Sequence, residues 1–453
     1  MKMKKLLTLS LSTVIAVSML AGCSSNDSKT EKTANVAATS SQTQTDETET
    51  TEETESGETE AGETTASSEG VITLKVWGPQ EDQIAYDGYE NGLLVALCEQ
   101  FAALNPEYDI SFEYGVVSEA DVHKEVLKDT DEAADVFLMS NDNIAALADA
   151  GAIARLGGTT ADEITANVSE SMLGSVTYNG GIYGIPYTTN TYFMYYDTSL
   201  YTEEEVLSLE TMMAKDLGDG IINFSFDLDN SWYAPGFFYA AGGELFGSDG
   251  SDNDAKTTFG EHPEATQYLI NLYADSKFLM EDDNKIALAR FEEGTLGAYV
   301  SGSWDAATIK EYLGDNFGVT KLPAIHINGE DNQLMSFAGS KAVIVNAASD
   351  KLAVAVKLAA YLGGEEAQTV RYETRGFTPT WASVESLEAV QSDPVVNAEI
   401  LQIKEASMTQ PLVSNLSKFW TPMESLVSGI ATGEVTLDNC VEKTKLMGDT
   451  ISE

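Results

Sequence analysis

The fold is decided by residues 71–77, Val-Ile-Thr-Leu-Lys-Val-Trp, in which apolar and polar side chains alternate as in a strand with one buried face. Downstream, Leu94, Leu97 and Phe101 recur at the spacing of one helical face. Alternation resumes at Tyr108–Tyr114. A strand, a helix and a second strand in this order predict an α/β fold.

The same alternation of elements continues along the chain. Ala134–Leu138 is a short, mostly apolar run typical of a parallel strand covered on both faces, and Ile144–Ala150 has the pattern of a following helix. Further strands are predicted at 192–196, 297–300 and 342–345, and further helices at 263–273 and 352–362. Because residues 71–453 are more than a single domain usually contains, we predict two α/β lobes.

The chain before Val71 has a different character. Residues 1–22 combine three lysines, an apolar run and the string Leu-Ala-Gly before Cys23, which resembles the signal peptide of a bacterial lipoprotein whose cysteine is acylated. An ordinary secretory signal with an incidental cysteine is the alternative. Residues 24–70 contain 12 acidic and 2 basic residues and almost no large apolar ones. We therefore expect residues 23–70 to be a lipidated cysteine followed by a disordered acidic tether.

The composition is strongly acidic. Of 453 residues, 73 are Asp or Glu and 25 are Lys or Arg, so the formal net charge is −48. Such a chain repels nucleic acid and anionic membrane surfaces, so we expect no nucleic-acid partner and membrane contact through the lipid anchor only. The sequence contains four arginines, which also disfavours phosphorylated or carboxylated ligands.

Motifs for catalysis, cofactors and metals are not found in the sequence. His123, His262 and His326 lie far apart, and there is no P-loop, no G-x-S-x-G and no complete G-x-G-x-x-G motif. The acidic run 249–254 lacks the glycine and glutamate of a calcium loop. We expect no cofactor, no metal and no enzyme activity. A secreted glycosidase stays open as an alternative, because pairs of carboxylates are frequent in so acidic a chain.

The tryptophans suggest a ligand. Trp77, Trp304 and Trp420 have small or polar neighbours rather than aliphatic runs. An indole beside amide and carboxylate groups suits a sugar, because the flat ring covers the C–H face while the polar groups bond the hydroxyls. Any one such ring is more often part of a core, and only their shared context favours the sugar interpretation.

Six ordered segments resemble those of a known family. They are I-T-L-K-V-W at 72–77, A-D-V-F-L-M-S-N-D-N at 134–143, Y-N-G-G-I-Y-G-I-P-Y at 178–187, Y-A-A-G-G-E-L-F at 239–246, F-E-E-G-T-L-G-A-Y-V-S-G-S-W at 291–304 and L-S-K-F-W at 416–420. In this order they resemble the extracellular solute-binding proteins of bacterial ABC sugar importers, in the branch of the maltose- and maltodextrin-binding proteins. The resemblance covers essentially all of residues 71–453.

The resemblance implies a two-lobed periplasmic-binding-protein fold of the type II-like class, with a central ligand cleft that closes around the sugar. The N-terminal lobe is expected at 71–188 plus 340–391, and the C-terminal lobe at 189–339 plus 392–453. Hinge crossings between the lobes are expected near Pro186–Thr191, Ser336–Ser340 and Gln391–Asp393.

The resemblance also implies binding residues. Asp142 matches a sugar-binding aspartate, and Asn190 falls where the family has a binding glutamate. Trp232, Trp304 and Trp420 match stacking aromatic residues. The full set of expected ligand-binding residues is Gln80, Glu81, Asp82, Asn141, Asp142, Tyr187, Asn190, Trp232, Trp304, Trp381 and Trp420.

Three positions depart from the family pattern, because Met139 replaces a tryptophan, Asn143 an arginine and Asp82 a lysine. These changes leave the sugar class in place but alter which sugar fits. The implied protein is a monomeric, lipid-anchored subunit on the extracellular face of a Gram-positive cell membrane. It delivers a neutral oligosaccharide, above all maltose or malto-oligosaccharides, to ABC permease subunits. Xylo- and galacto-oligosaccharides stay open as alternative ligands. A surface adhesin and a polyamine-binding protein stay open as alternative functions.

Overall fold

The structure, a computed structural model, describes residues 70–280 and 286–453, which contain two mixed sheets. The predicted signal peptide, Cys23 and the predicted tether up to residue 69 lie outside the described residues. All the described residues belong to one compact unit, Glu58–Glu453. No helix in the described ranges is long and apolar enough to cross a membrane.

Strands and helices alternate through the described ranges. The strands are β1 (Ile72–Gly78), β2 (Ile110–Val116), β3 (Val136–Ser140), β4 (Thr177–Tyr178), β5 (Gly181–Ile182), β6 (Ile185–Asn190), β7 (Phe193–Asp197), β8 (Ile222–Phe226), β9 (Phe278–Met280), β10 (Leu296–Ser301), β11 (Phe317–Thr320), β12 (Ala324–Ile327), β13 (Glu330–Gln333), β14 (Ser336–Val345) and β15 (Ser407–Thr409). The helices are α1 (Leu93–Leu104), α2 (Val122–Lys128), α3 (Ile144–Asp149), α4 (Gly158–Asn167), α5 (Glu170–Gly174), α6 (Leu209–Ala214), α7 (Pro235–Ala240), α8 (Pro263–Ala274), α9 (Ile286–Glu292), α10 (Ala306–Leu313), α11 (Leu352–Gly363), α12 (Glu365–Arg375), α13 (Ala382–Glu385), α14 (Glu388–Gln391), α15 (Pro394–Glu405), α16 (Trp420–Ala431) and α17 (Cys440–Ile451).

The first sheet has the strand order β15-β14-β3-β1-β2, and β6 also pairs with β14. β1 is parallel to β2 and β3, whereas β14 is antiparallel to β3 and β6. The carboxyl ends of β1, β2 and β3 therefore meet at one edge of the sheet, which is where open α/β sheets bind ligands.

The second sheet has the order β11-β7-β10-β8-β9. β10 is parallel to β8 and antiparallel to β7, and β8 is parallel to β9. Each sheet has its own apolar core. Leu74, Val76 and Leu97 belong to the core of the first sheet, and Phe224 and Phe237 belong to that of the second.

The predicted α/β elements are present. Leu74 and Val76 are buried in β1 as the alternation requires, and Leu94, Leu97 and Phe101 form the buried face of α1. The short run predicted as a covered strand is β3, whose first four residues are all buried. Local hydrophobic periodicity was sufficient here because these segments pack with their own sheet.

One strand is longer than its pattern predicted. Residues 342–345 were predicted as a strand, but β14 begins at Ser336 and includes the predicted crossing 336–340. Its first part pairs with β15 and its last part with β3. The small and polar residues Ser336 and Ser340 have no strand pattern, and pairing with distant strands makes them part of the sheet. The lobe boundaries stay a prediction.

Candidate functional site

Trp232 and Trp304 form a pair of neighbouring indoles. Trp232 lies between β8 and α7, and Trp304 lies in the turn after β10. Their ring centroids are 6.1 Å apart, and the angle between the ring planes is 43°. Both indoles are partly exposed. The fold thus places two of the expected stacking residues side by side.

Gly302 allows Trp304 to take this position. The indole folds back over Gly302, so a Cβ added there would overlap with the six-membered part of the ring. The Gly302 backbone has φ −106° and ψ −171°, a conformation open to any residue. Glycine is therefore needed here to leave room for the indole, and the backbone conformation does not require it.

Three contacts hold the indole of Trp232. Its ring lies edge-on to Tyr192 and Tyr233, with both centroid distances 5.0 Å. The indole Nε1–H donates to the Oε1 atom of Gln410 at 3.0 Å. Aromatic packing and a directed hydrogen bond together fix the ring plane.

The other two expected tryptophans differ in burial. Trp420 begins α16, is partly exposed and packs edge-on against Phe337 of β14 at a centroid distance of 6.3 Å. Trp381 is 5% exposed and belongs to the core of the first sheet. Burial leaves the Trp381 ring no face for a ligand, so its predicted contact does not fit the structure.

Asn141 and Asp142 follow the carboxyl end of β3. Asn141 is 1% exposed, and its Oδ1 atom accepts from the Ser340 backbone N–H at 3.1 Å. Asp142 is partly exposed and accepts from the Nδ2 atom of Asn143 at 2.8 Å. Desolvation raises the pKa of Asp142 to about 6, although the hydrogen bond from Asn143 acts in the opposite direction. Asp142 can therefore accept hydrogen bonds as a carboxylate near neutral pH.

The turn after β1 differs from its predicted role. Gln80 and Glu81 are exposed, but Asp82 is 0% exposed and forms an ion pair with Arg375. The Arg371 Nε atom lies 4.0 Å from the same carboxylate. Because its oxygens face two buried arginines, Asp82 does not fit the predicted direct ligand contact. The sequence pattern located the turn correctly and did not indicate that its third residue points inward.

Tyr187, Glu119 and Lys341 form a buried hydrogen-bonded group. The Tyr187 hydroxyl donates to Glu119, and the Lys341 Nζ atom lies 2.5 Å from the other Glu119 oxygen. Burial by itself raises the pKa of Glu119, but the Lys341 charge and the bonds from Lys341 and Tyr187 outweigh it, so the pKa is lowered. The Arg371 guanidinium lies 4.5 Å from the centre of the Tyr187 ring. Glu119 thus binds the Tyr187 hydroxyl, and Arg371 packs over the Tyr187 ring.

Lys341 connects this group to the indole pair. Its Nζ atom lies 5.8 Å from the centroid of Trp304 and 5.5 Å from that of Phe377. The β14 register shifts between Lys341 and Ala342, and such a bulge re-aims a side chain. The ammonium thereby joins a residue of the first sheet to an indole of the second through a cation–π contact.

The charged groups named above form ion pairs. Lys341 pairs with Glu119, and Arg375 pairs with Asp82. A buried charge is tolerated when it has such a partner.

No sequence motif marks Lys341, Glu119 or Gln410 as functional. Lys341 precedes the apolar run 342–345, and the other two lie in no recognisable pattern. Their positions follow from strand pairing: Lys341 lies opposite Ser140 of β3, and the Gln410 N–H donates to the Ala338 carbonyl of β14 at 2.9 Å.

Asn190 lies on β6, opposite Gly339 of β14, and is 7% exposed. The neighbouring Thr189 hydroxyl donates to the buried Glu399 of α15 at 2.6 Å, and Thr378 donates to the same carboxylate. The expected crossing at Asn190 is therefore a paired strand, and Asn190 offers a ligand little surface.

A separate cavity of about 600 Å³ lies beside this strand. Thr189, Thr378 and Ile400 are among its lining residues, and none of the expected binding residues is. The indole pair and the charged group thus lie apart from it. Among the described residues, no group of three or more His, Cys, Asp or Glu is placed to hold a metal ion.

The chain is similar to known bacterial solute-binding proteins. A model of the family described as bacterial extracellular solute-binding protein matches residues 96–398. The galactooligosaccharide-binding protein of Bacillus subtilis is 26% identical over 401 residues, which cover 83% of this chain and 94% of that protein. The maltooligosaccharide ABC transporter solute-binding lipoprotein of Streptococcus pneumoniae serotype 4 is 25% identical over 328 residues, which cover 66% of this chain and 72% of that protein.

The fold is shared with solved structures. One, described as containing acarbose, has a TM-score of 0.78 and 39% identity, over 84% of this chain and 99% of that chain. The structural neighbours are two-lobed binding proteins, so the predicted two-lobed α/β fold is confirmed.

Proposed function

The chain belongs to the family of bacterial extracellular solute-binding proteins, and on this premise we propose that it is the lipid-anchored binding subunit of an ABC importer for a neutral oligosaccharide. The observation that carries the proposal is the Trp232–Trp304 pair, 6.1 Å apart, with the Glu119–Lys341 ion pair beside Trp304. Indole faces take the C–H face of a sugar, and the amide and carboxylate groups bond its hydroxyls.

Malto-oligosaccharides are the first candidates for the ligand. Support comes from the relative in Streptococcus pneumoniae, which is named for maltooligosaccharides. Galacto-oligosaccharides are the second candidates, because the Bacillus subtilis relative named for them matches a larger share of the chain. Xylo-oligosaccharides complete the set of neutral glycans to be tested.

The proposed mechanism is capture by closure. A ligand shifts the protein towards a closed state only by binding that state more tightly than the open one. Trp232 and Trp304 follow strands β8 and β10 of the second sheet, and Asp142 follows β3 of the first, so one glycan that contacts both sides stabilises the closed state. A site of moderate quality gives a Kd of about 1 μM, or roughly −8 kcal/mol.

The direct test is calorimetry of purified protein with malto-, galacto- and xylo-oligosaccharides, together with tryptophan emission. We expect a Kd of about 1 μM for one glycan class and loss of at least about tenfold in affinity for Trp304→Ala. Tyr108→Ala is the matched control, because Tyr108 precedes β2 at the opposite edge of the first sheet. Unchanged heat and emission across the panel would reject a glycan ligand.

Two further parts of the proposal have separate tests. Incubation with each glycan followed by product analysis distinguishes binding from hydrolysis, and shortened products would identify an enzyme. Lipid attachment is tested by labelling cells with a radioactive fatty acid. We expect label on the unaltered protein and none on Cys23→Ser, which would be released from the membrane fraction.

A further inference from the structure

His123, Asn143 and Asp142 form a short hydrogen-bonded series beside the carboxyl end of β3. His123 lies on α2, and the other two lie in the turn 141–143. The Asn143 Nδ2 atom donates to the Asp142 Oδ2 atom at 2.8 Å and lies 3.4 Å from the His123 Nδ1 atom. Asn143 is 8% exposed, whereas His123 and Asp142 are partly exposed. The amide is thus a buried link between an imidazole and a carboxylate that both reach solvent.

The orientation of the Asn143 amide follows from the carboxylate. An ionised carboxylate only accepts hydrogen bonds, so the N–H₂ end of the amide must face Asp142. The same nitrogen is the atom near the His123 ring, so the His123 Nδ1 atom must accept. That role requires a neutral ring with its proton on Nε2. This arrangement therefore requires an unprotonated His123 and an ionised Asp142.

A proton on the His123 Nδ1 atom would set two donors against each other. Rotating the Asn143 amide by 180° removes the conflict, because its oxygen then accepts from the ring. The same rotation brings that oxygen to the Asp142 Oδ2 atom, where it is favourable only if the Asp142 carboxyl also takes a proton and donates it. Uptake of one proton therefore favours uptake of the other.

The electrostatic surroundings bring the two protonation steps close together. Desolvation raises the pKa of Asp142 from 3.8 to about 6. Desolvation and the charge of Lys124 lower the pKa of His123 from 6.5, although the Ala120 carbonyl and the charge of Asp121 act to raise it. Burial thus moves the pKa values of the carboxyl and the imidazole towards each other, into the mildly acidic range.

Further charged groups lie on segments that pack against the turn 141–143. They are Lys341 of β14, Asp149 of α3 and the exposed Lys418. Lys341 is paired with Glu119, and Asp149 accepts from the Tyr178 hydroxyl at 2.9 Å. The strand β3, which packs against α2, has no charged side chain. The amide is therefore the direct contact between the two titrating groups.

We propose that His123 is a positioning residue for the ligand. Through the Asn143 amide it keeps the Asp142 carboxylate oriented to accept a glycan hydroxyl, and protonation of its ring reverses the amide and weakens binding. The proposal rests on the proposed function and adds a regulation by pH to the same site. The arginine of the family pattern at position 143 would keep its donors at every pH, whereas an amide can present either end.

The test is calorimetry of the full protein with its best glycan at pH 5, 6, 7 and 8. A carboxyl with a pKa of about 6 is about one-tenth ionised at pH 5, so Asp142 alone should raise the Kd about tenfold between pH 8 and pH 5. Linked proton uptake by His123 should bring the rise to more than about 30-fold. His123→Asn keeps an acceptor near the Nδ1 position but takes up no proton, so we expect its rise to be about tenfold or less.

The other two histidines provide matched controls. His262 contacts Glu264 at 2.9 Å, and His326 contacts Asp331 at 2.7 Å. His262→Asn and His326→Asn should therefore keep the pH profile of the unaltered protein. Thermal unfolding at each pH checks that every variant is folded where its Kd is measured.

A second measurement needs no ligand. The sequence contains three histidines, so the histidine variants assign the ring signals in an NMR titration. Asn143→Ser should raise the pKa of His123, because a hydroxyl can turn to accept from the protonated ring.

The outcomes separate this proposal from the proposed function. If the unaltered protein binds a glycan and His123→Asn keeps the same pH profile, or Asn143→Ser leaves the pKa of His123 unchanged, the positioning role is wrong and the proposed function stands. If no glycan binds at any pH, both are wrong.

Discussion

The position of the Trp304 indole depends on a glycine, Gly302, which has no side chain. Gly302 has backbone angles that alanine also adopts, yet a Cβ there would overlap with the indole of Trp304. Gly302→Ala should therefore displace the ring while leaving the backbone unstrained. We expect the affinity for the best glycan to fall at least about tenfold, measured by calorimetry, because a stacking face is lost.

Gly157→Ala is the matched control for this prediction. Gly157 has φ −139°, and an added Cβ there meets no atom within 4 Å. Its Kd should equal that of the unaltered protein. Equal binding by both variants would mean that Trp304 does not contact the ligand.

Asp82 illustrates a second effect at the scale of one residue. Its carboxylate is 0% exposed and pairs with Arg375, with Arg371 at 4.0 Å. Asp82→Asn leaves two buried guanidinium groups without their counter-charge, so we expect a loss of about 3–5 kcal/mol in the free energy of unfolding by urea. Asp350→Asn breaks an ion pair with Lys351 that is open to water, and we expect less than about 1 kcal/mol. Similar losses for both variants would contradict the buried role of Asp82.

At the scale of elements, α15 is attached to the strand β6 by a buried carboxyl group. Glu399 accepts hydrogen bonds from Thr189 of β6 and from Thr378. Desolvation raises the pKa of Glu399 from 4.5 to about 7, although these two bonds and the charge of Lys341 act to lower it. The carboxyl group that joins α15 to β6 therefore gains or loses its proton near neutral pH.

This shift predicts the pH dependence of stability. Between pH 4.5 and about 7 the folded protein keeps a proton on Glu399 that the unfolded chain has lost. The contribution of Glu399 to the free energy of unfolding therefore falls as the pH rises through this window, by about 3 kcal/mol in total. Guanidinium unfolding at pH 5, 6, 7 and 8 should show this decline in the unaltered protein and a flatter profile in Glu399→Gln.

The control for this prediction lies on the same helix. Glu405→Gln removes a carboxylate whose side chain is 45% exposed and should keep the profile of the unaltered protein. Parallel profiles for the unaltered protein and Glu399→Gln would show that this carboxyl does not titrate in the window.

For the whole molecule, the proposed closure predicts a change of shape. The radius of gyration from small-angle X-ray scattering should decrease when the best glycan saturates the protein, because contacts on both sheets favour the closed state. A Trp232→Ala/Trp304→Ala double variant should keep the larger radius at the same glycan concentration. A ligand that binds with full affinity and leaves the radius unchanged would contradict capture by closure.

The sequence by itself determined the α/β class, the family and several of the elements. Alternation in β1 and helical spacing in α1 are local properties, and each was sufficient because the segment buries one face against its own sheet. Trp304 closes one of the six ordered segments, and its contact with a ligand stays a prediction.

Only the tertiary structure decided which polar groups face which. Asp82 and Trp381 were expected to contact ligand, yet Asp82 is enclosed by arginines and Trp381 by the apolar core. Gln410 and Lys341 had no pattern to mark them, and strand pairing with β14 brings them beside the indole pair. The physical reason is that periodicity reports which face of an element is apolar, whereas the partner of a charge or an amide depends on contacts between residues far apart in the chain.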